Sequence, residues 1–402
     1  MGLRERLEEE MGRRGIEAVI AYGESRSNPN FYYLTRVLIP RGGLFFKAIG
    51  SDPVLVVSEV DLGLASKGFE GAVTTFSELI GKPPRDPADA IALSIKELLR
   101  RNGVSKVAIY ARGEFSASLR IWERLREGGF EVIVEQYPSL VDSMRELKTE
   151  EERRRISEIG RSVVEVFESI CELLGKCRIR GNSVYHGGRP LRVGDLKSLA
   201  MVELAERGLV PAEGIIISSG RRSSDPHYPG SRRDPIRKGY PIVIDIFPRG
   251  EDCYFFDMTR TFLIGRSAAI ERMHSLVVRA QGLAKDVLAE GGRASEAMDA
   301  ACELFERNGF ETIRGRLEGG PIPRRGFIHS LGHGVGLTIG ERPFLRHGED
   351  YPLREGHAFT IEPGLYDPRL GGVRVEDLFF FEGGKIRAAT GRLFPQELVI
   401  IS

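Results

Sequence analysis

PIVIDIFPRGEDCYFFDMTRTF, residues Pro241 to Phe262, decides the reading of the C-terminal part of this chain. Asp245 sits inside an apolar run of Ile and Val. Asp257 sits in a returning run beside Phe255 and Phe256, and Pro248 to Asp252 supplies turn residues between them. The pattern predicts an antiparallel hairpin. A carboxylate in an apolar strand is costly unless it is paired or bound to a cation. Two of them on facing strands repel unless positive charge lies between.

The theme recurs downstream. Glu362 interrupts FTIEPGLY and Glu376 interrupts GVRVEDLFF, with Asp367 to Gly372 as the turn. Two hairpins thus deliver four carboxylates from strands, which suits a fixed constellation better than loops would. Between the hairpins lies FIHSLGHGVGLTIGE, residues Phe327 to Glu341. His333 is the natural fifth member, and the glycines of GHGVG leave room for a close approach. Four carboxylates and one imidazole make a hard, oxygen-rich site that suits Mn²⁺, Co²⁺ or Fe²⁺ better than structural zinc. Two of the carboxylates could bridge two ions at roughly 3.5–4 Å, the geometry of a two-metal hydrolase.

The rest of the chain is consistent with a soluble globular protein. Its 402 residues allow two or three domains, and 41% hydrophobic with 29% charged residues is ordinary for a folded chain. A net charge of +1 gives no electrostatic case for nucleic acid or an anionic membrane. The opening MGLRERLEEEMGRRG is charged, lacks the apolar core of a signal peptide, and carries Arg6 where myristoylation needs Ser or Thr. There is no 18-residue apolar run, hence no membrane span. Cys171, Cys177, Cys253 and Cys302 form no CxxC pair. They are read as free buried thiols in a reducing cytoplasm.

Secondary structure divides the chain. Strands are expected at 17–22, 44–49, 53–57, 107–110 and 131–135, with helices at 1–14, 86–102 and 115–127, an α/β alternation. Thr149 with Glu152 forms a capping box that opens a long helix over 149–174. The domain boundary is placed at about 143–148, giving domains 1–143 and 148–402. The second domain reads as α+β, with helices at 194–208, 268–290 and 294–308 and strands at 214–219, 240–247, 253–262, 357–362 and 372–381.

These motifs resemble the pita-bread metallopeptidases: methionine aminopeptidase, aminopeptidase P and prolidase. NPNFYYLT (28–35) looks like the creatinase/prolidase-type N-terminal domain, and MRELKTEEE like the start of that family's catalytic domain. The resemblance covers most of the chain and implies the creatinase–prolidase branch. On that resemblance Asp245 binds one metal and His333 the other, and Asp257 and Glu376 bridge them. Glu362 ligates the histidine-bound metal and shuttles the proton of a bridging water. His227 in SSDPHYPG lines the substrate pocket and donates to the tetrahedral intermediate, and His329 lies pocket-side. The implied activity is hydrolysis of Xaa-Pro bonds by a metal-bridging hydroxide, as a dipeptidase or an aminopeptidase. Two divalent ions are implied, Mn or Co first and Fe or Zn after them. Short proline-containing peptides as partners and a homodimeric state are implied as well.

Three features depart from the family pattern. Gly340 stands where Xaa-Pro-cleaving members usually carry a histidine. Asp245 and Asp257 are one position further apart than is common, an extra residue that the turn is expected to absorb. Phe256 replaces a small residue and would wall the pocket if it faced inward. A dipeptidase also needs a cation for the substrate carboxylate, and Arg342 and Arg346 are the candidates, with Glu341 as an orienting partner. Arg260 reads as structural, and His186, His274, His347 and His357 have no supporting pattern. A related hydrolase with a non-proline substrate, or a non-catalytic binding protein of the same fold, are the competing expectations.

Overall fold

The computed structural model describes residues 2–317, 319–321, 323–391, 394–396 and 399–401. The chain divides into two compact units, Met1–Arg145 and Glu146–Ser402.

The first unit is built on one sheet. Its strands are β1 (Ala18–Gly23), β2 (Gly43–Ala48), β3 (Val54–Val57), β4 (Ala72–Thr75), β5 (Lys106–Ala111) and β6 (Glu131–Ile133), ordered β4-β3-β2-β1-β5-β6. Only β2 runs against its neighbours. Helices Pro87–Arg101 and Phe115–Glu127 bury an apolar stripe on it: Ile95, Leu98, Leu99, Ile121 and Leu125 join Ile20, Phe46 and Val107 in one core. Four of these helix positions, Ile95 with Leu99 and Ile121 with Leu125, are spaced one turn apart. The sequence reading misses β4, whose AVTT is too short to show a period. It also leaves NPNFYYLT without an element. Asn28 caps a helix there over Pro29–Thr35, accepting from Asn30 N and Phe31 N, while its amide donates to Tyr22 O and Tyr110 O.

The second unit opens with the helix Glu150–Gly175. Thr149 accepts from Glu152 N, and Glu152 answers at Thr149 N, which is the expected capping box. Ile156, Ile159, Gly160, Val163, Val166, Phe167, Ile170 and Leu174 form its buried stripe. Two sheets carry the site. One orders strands Ile216–Ser219, Pro241–Ile246, Met258–Ile264 and Val399–Ile401. The other orders Ile339–Leu345, Gly332–Val335, Ala358–Ile361, Asp377–Glu382 and Lys385–Ala388. Helices Ala268–Ala289 and Ala294–Arg307 cover them, with Leu263, Phe327, Leu331, Phe359 and Val373 in a shared core. This is the α+β arrangement expected.

Two strand expectations need correction. The run 253–262 becomes a strand only at Met258, because Cys253 turns with φ 66 and the segment up to Asp257 closes the hairpin. The run 372–381 splits into Gly371–Arg374 and Asp377–Glu382. Its partner splits likewise, Ala358–Ile361 from Gly364–Asp367, at Glu362-Pro363, where proline cannot donate to a ladder. Glu376 leaves its own hairpin and exchanges backbone bonds with Thr259 of the first one, at 3.1 and 3.4 Å. The carboxylates therefore stand where the two hairpins join.

All four cysteines are free; Cys253 and Cys302 are buried, whereas Cys171 and Cys177 are only half-buried. Among the described residues no helix is long and apolar enough to cross a membrane.

Candidate metal centre

The first hairpin sets Asp245 and Asp257 on one face. Asp245 pairs with Thr259 and Ile246 with Met258, and the register holds outward, with Arg249 opposite Phe255 and Gly250 N donating to Tyr254 O. Asp257 is two residues from Thr259, so it shares the face of Thr259 and hence of Asp245. The ladder carries no bulge. Whatever the wider aspartate spacing adds lies in the turn at 250–254, and both aspartates keep their direction. Phe256 points the opposite way. A Cβ placed on Gly160 would lie 2.4 Å from its Cε2, so the ring fills the gap that this glycine leaves in the long helix. It is no wall of the pocket.

Glycines also shape the approach to His333, though not as expected. A Cβ on Gly332 would lie 2.0 Å from Thr360 O, and one on Gly334 2.1 Å from Arg342 O. What comes close is the backbone of the two flanking strands. His333 is thereby seated between them. Its Nδ1–H donates to Gly334 O at 3.1 Å, which turns the Nε2 lone pair toward Asp257 Oδ2 at 3.7 Å and Glu362 Oε1 at 3.6 Å. A cation between the ring nitrogen and the two carboxylates would satisfy all three groups.

Asp257, His333 and Glu376 each present a ligand atom within 4.8 Å of the other two. Among the described residues, the buried oxygens Asp245 Oδ1, Asp257 Oδ1 and Glu376 Oε1 have no hydrogen-bond partner. Buried polar atoms are rarely left so, and three in one cluster fit a bound ion. Without one, the charges cannot all persist. Burial, then Glu376, Asp245 and Glu362, push the Asp257 carboxyl well above its usual range. Burial raises Glu362 to about 8, Arg374 opposing and Asp245 adding; burial and then Glu362 and Asp245 raise Glu376 to about 8.

The sequence reading missed the cation already in the cluster. Arg374 is 3% exposed and donates to Asp245 Oδ2, to Thr259 Oγ1 at 3.3 Å, to Tyr366 Oη at 3.0 Å and to Pro226 O at 3.3 Å. Thr259 in turn donates to Glu376 Oε2 at 2.7 Å. The signal was in VRVE: Arg374 lies two residues before Glu376, where alternation puts both on one face.

The histidines take different places. His329 Nδ1–H donates to Ser330 O at 2.7 Å, and Nε2 accepts from the Tyr366 hydroxyl at 2.9 Å. Burial, then the Arg374 charge, hold the ring neutral, with its pKa down at about 3. It supports Tyr366 and Arg374. His227 is exposed, next to the Pro226 carbonyl that Arg374 holds.

Other expected residues stand elsewhere. Arg342 donates to Glu146 Oε2 at 3.1 Å and lies over the Tyr351 ring; Arg346 pairs with Glu349 at 2.9 Å over Phe344. Among the described residues both guanidiniums are engaged by glutamates, Arg342 by Glu146 and Arg346 by Glu349. Glu341 does hold a salt bridge, to the buried Lys148 Nζ at 2.7 Å. Arg260 is structural: it pairs with Asp377 at 2.6 Å and donates to Glu376 O at 2.7 Å. Gly340 has φ +76 with open space around its missing side chain.

The chain is similar in sequence and in fold to known peptidases. The model of metallopeptidase family M24 matches residues 155–382. The chain is 28% identical over 351 residues to an Xaa-Pro dipeptidase of Pyrococcus furiosus, covering 87% of each chain. A dipeptidase structure from Pyrococcus horikoshii superposes with a TM-score of 0.77 at 25% identity, covering 99% of both chains. An Xaa-Pro dipeptidase from Bacillus anthracis, at 23% identity, shares the fold with a TM-score of 0.79 over 99% of this chain and 98% of that one.

Proposed function

The chain belongs to metallopeptidase family M24 and is a peptidase, and from that premise we propose that it hydrolyses Xaa-Pro bonds as a dipeptidase that uses two divalent ions, Mn or Co. The observation that carries the reading is the set of unpartnered carboxylate oxygens around His333. In this proposal residues 146–402 are the catalytic domain and residues 1–145 the creatinase/prolidase-type domain. His333 and Glu362 would hold one ion and Asp245 the other, with Asp257 and Glu376 shared between the two positions. When bound, the ions supply Lewis acidity, lowering the pKa of water toward neutrality and polarising a carbonyl.

The chain's own residues do the rest. Glu362 takes the proton of the attacking water on its carboxylate and returns it to the departing imino nitrogen. Arg374 fixes Asp245 and Tyr366, and Tyr366 fixes His329. Exposed His227 donates to the carbonyl oxygen of the scissile bond as charge builds there.

One observation favours a second reading. Arg342 and Arg346, the expected partners of a dipeptide carboxylate, are held by Glu146 and Glu349. That favours an aminopeptidase, which needs no such cation. Proline release from an Xaa-Pro dipeptide, and Xaa release from an Xaa-Pro-Yaa tripeptide, separate the two. Glu362→Gln is the control. Dipeptide cleavage alone establishes the dipeptidase; tripeptide cleavage alone establishes the aminopeptidase. Two bound ions with neither cleavage would overturn the Xaa-Pro assignment. The homodimer and the cytoplasmic setting belong to the same proposal, and sedimentation tests the former.

A further inference from the structure

We propose that the unit Met1–Arg145 holds a second ligand site, a crevice for a small zwitterion with an apolar side chain, either a free amino acid or a short peptide. The crevice has a volume of about 610 Å³ and is lined entirely from this unit. That falls within the roughly 300–1,000 Å³ of small-molecule sites.

Topology places it. Its floor is made by the carboxyl ends of β1, β3, β4 and β5, where Tyr22, Ser58, Phe76 and Arg112 follow or end those strands. β1 connects onward to β2 on one side, whereas β5 connects onward to β6 on the other. The neighbouring pair β1 and β5 is therefore a point where the chain's direction of winding reverses. In open α/β sheets, the crevice outside the carboxyl ends at such a point is the usual ligand position, because connections diverge there and leave the sheet end uncovered.

Chemistry selects the ligand. Tyr22, Phe76 and Ile91 give the crevice an apolar wall. At its polar side stand two carboxylates and two guanidiniums, Glu24, Glu59, Arg41 and Arg112, and Glu59 is already engaged by the Ser77 hydroxyl. Arg112 spends one N–H on Ser27 O at 3.2 Å, and its other donors remain. Glu24 and Arg41 have no side-chain partner among the described residues. Both signs of charge beside one apolar wall match an α-ammonium and a carboxylate flanking an apolar side chain. A simple anion would leave Glu24 opposing it, and a purely apolar ligand would use none of the charged groups.

The test is calorimetric titration of the metal-loaded full chain with L-phenylalanine. L-phenylalaninamide lacks the carboxylate and N-acetyl-L-phenylalanine lacks the ammonium. One saturable site is expected for phenylalanine, about tenfold weaker for each derivative. Arg41→Ala and Glu24→Gln should each weaken phenylalanine about tenfold while leaving peptidase turnover unchanged. Both side chains are exposed and unpaired, so these variants fold. Glycyl-L-phenylalanine binding more tightly than phenylalanine assigns a peptide; binding more weakly assigns the free amino acid. Absence of saturable binding at millimolar phenylalanine overturns the proposal. So does binding that survives both substitutions, since the ligand would then sit elsewhere, including in the metal centre.

Discussion

Arg374 and Asp245 meet as a buried ion pair, Nη2 to Oδ2 at 2.5 Å, with side chains 4% and 10% exposed. The pair joins the two hairpins at the point where the carboxylates converge. Removing one partner of a buried pair leaves the other uncompensated and costs about 3–5 kcal/mol. Arg374→Met should lose that much in urea unfolding of the metal-free chain. Arg374→Lys should recover part of it, because an ammonium keeps the charge but cannot reach Asp245, Thr259 and Tyr366 together. Equal stability of Arg374→Met and wild type would mean that the pair holds nothing.

Metal binding should release protons. In the metal-free fold Glu362 and Glu376 titrate near 8 against an ordinary 4.5. Their folded pKa is raised, so their contribution to stability is fully present below 4.5 and is lost as pH rises through about 8. A cation among them removes that loss. The rise in Tm on adding Mn²⁺ is therefore expected to be larger at pH 8 than at about pH 5.5. Near neutral pH, titration with Mn²⁺ in buffers of different ionisation enthalpy should show protons leaving. Glu376→Gln should show fewer. A metal-induced Tm rise that is flat with pH would sink this account of the cluster.

Phe256 and Gly160 are a matched pair. In an unconstrained helix interior Gly→Ala stabilises by about 0.5–1 kcal/mol. Here the new Cβ would lie 2.4 Å from the ring, so Gly160→Ala should instead destabilise by about 1–3 kcal/mol. In a Phe256→Leu background the penalty should shrink or reverse sign. Thermal unfolding of the four proteins gives the coupling, and additive effects would show that the two side chains do not meet.

Gly340 is more than an absent histidine. With φ +76 it occupies backbone space that side chains resist by about 1–2 kcal/mol, whereas the surrounding volume is open. Gly340→Ala and Gly340→His should thus lose similar stability, about 1 kcal/mol each, and both should fold. A histidine variant much less stable than the alanine variant would point to a steric clash that the structure does not contain.

Much of the site was legible because strand alternation is a local property. Asp245, Asp257, Glu362 and Glu376 each broke an apolar run, and that signal survives any arrangement of the strands. The N-cap of the long helix was equally local, needing only Thr149 and Glu152. The M24 fold followed from these motifs in combination. What tertiary structure alone decided was which charged groups meet. Arg374 reaches Asp245 across 129 positions, while Arg342, in the same hairpin as His333, turns instead to Glu146. The directions of Phe256 and of the Gly340 backbone, and the break of both ladders at Glu362 and Glu376, belong to the same class. Each depends on the register between segments distant in sequence. A period of two residues says which face a side chain takes, but not what stands opposite it.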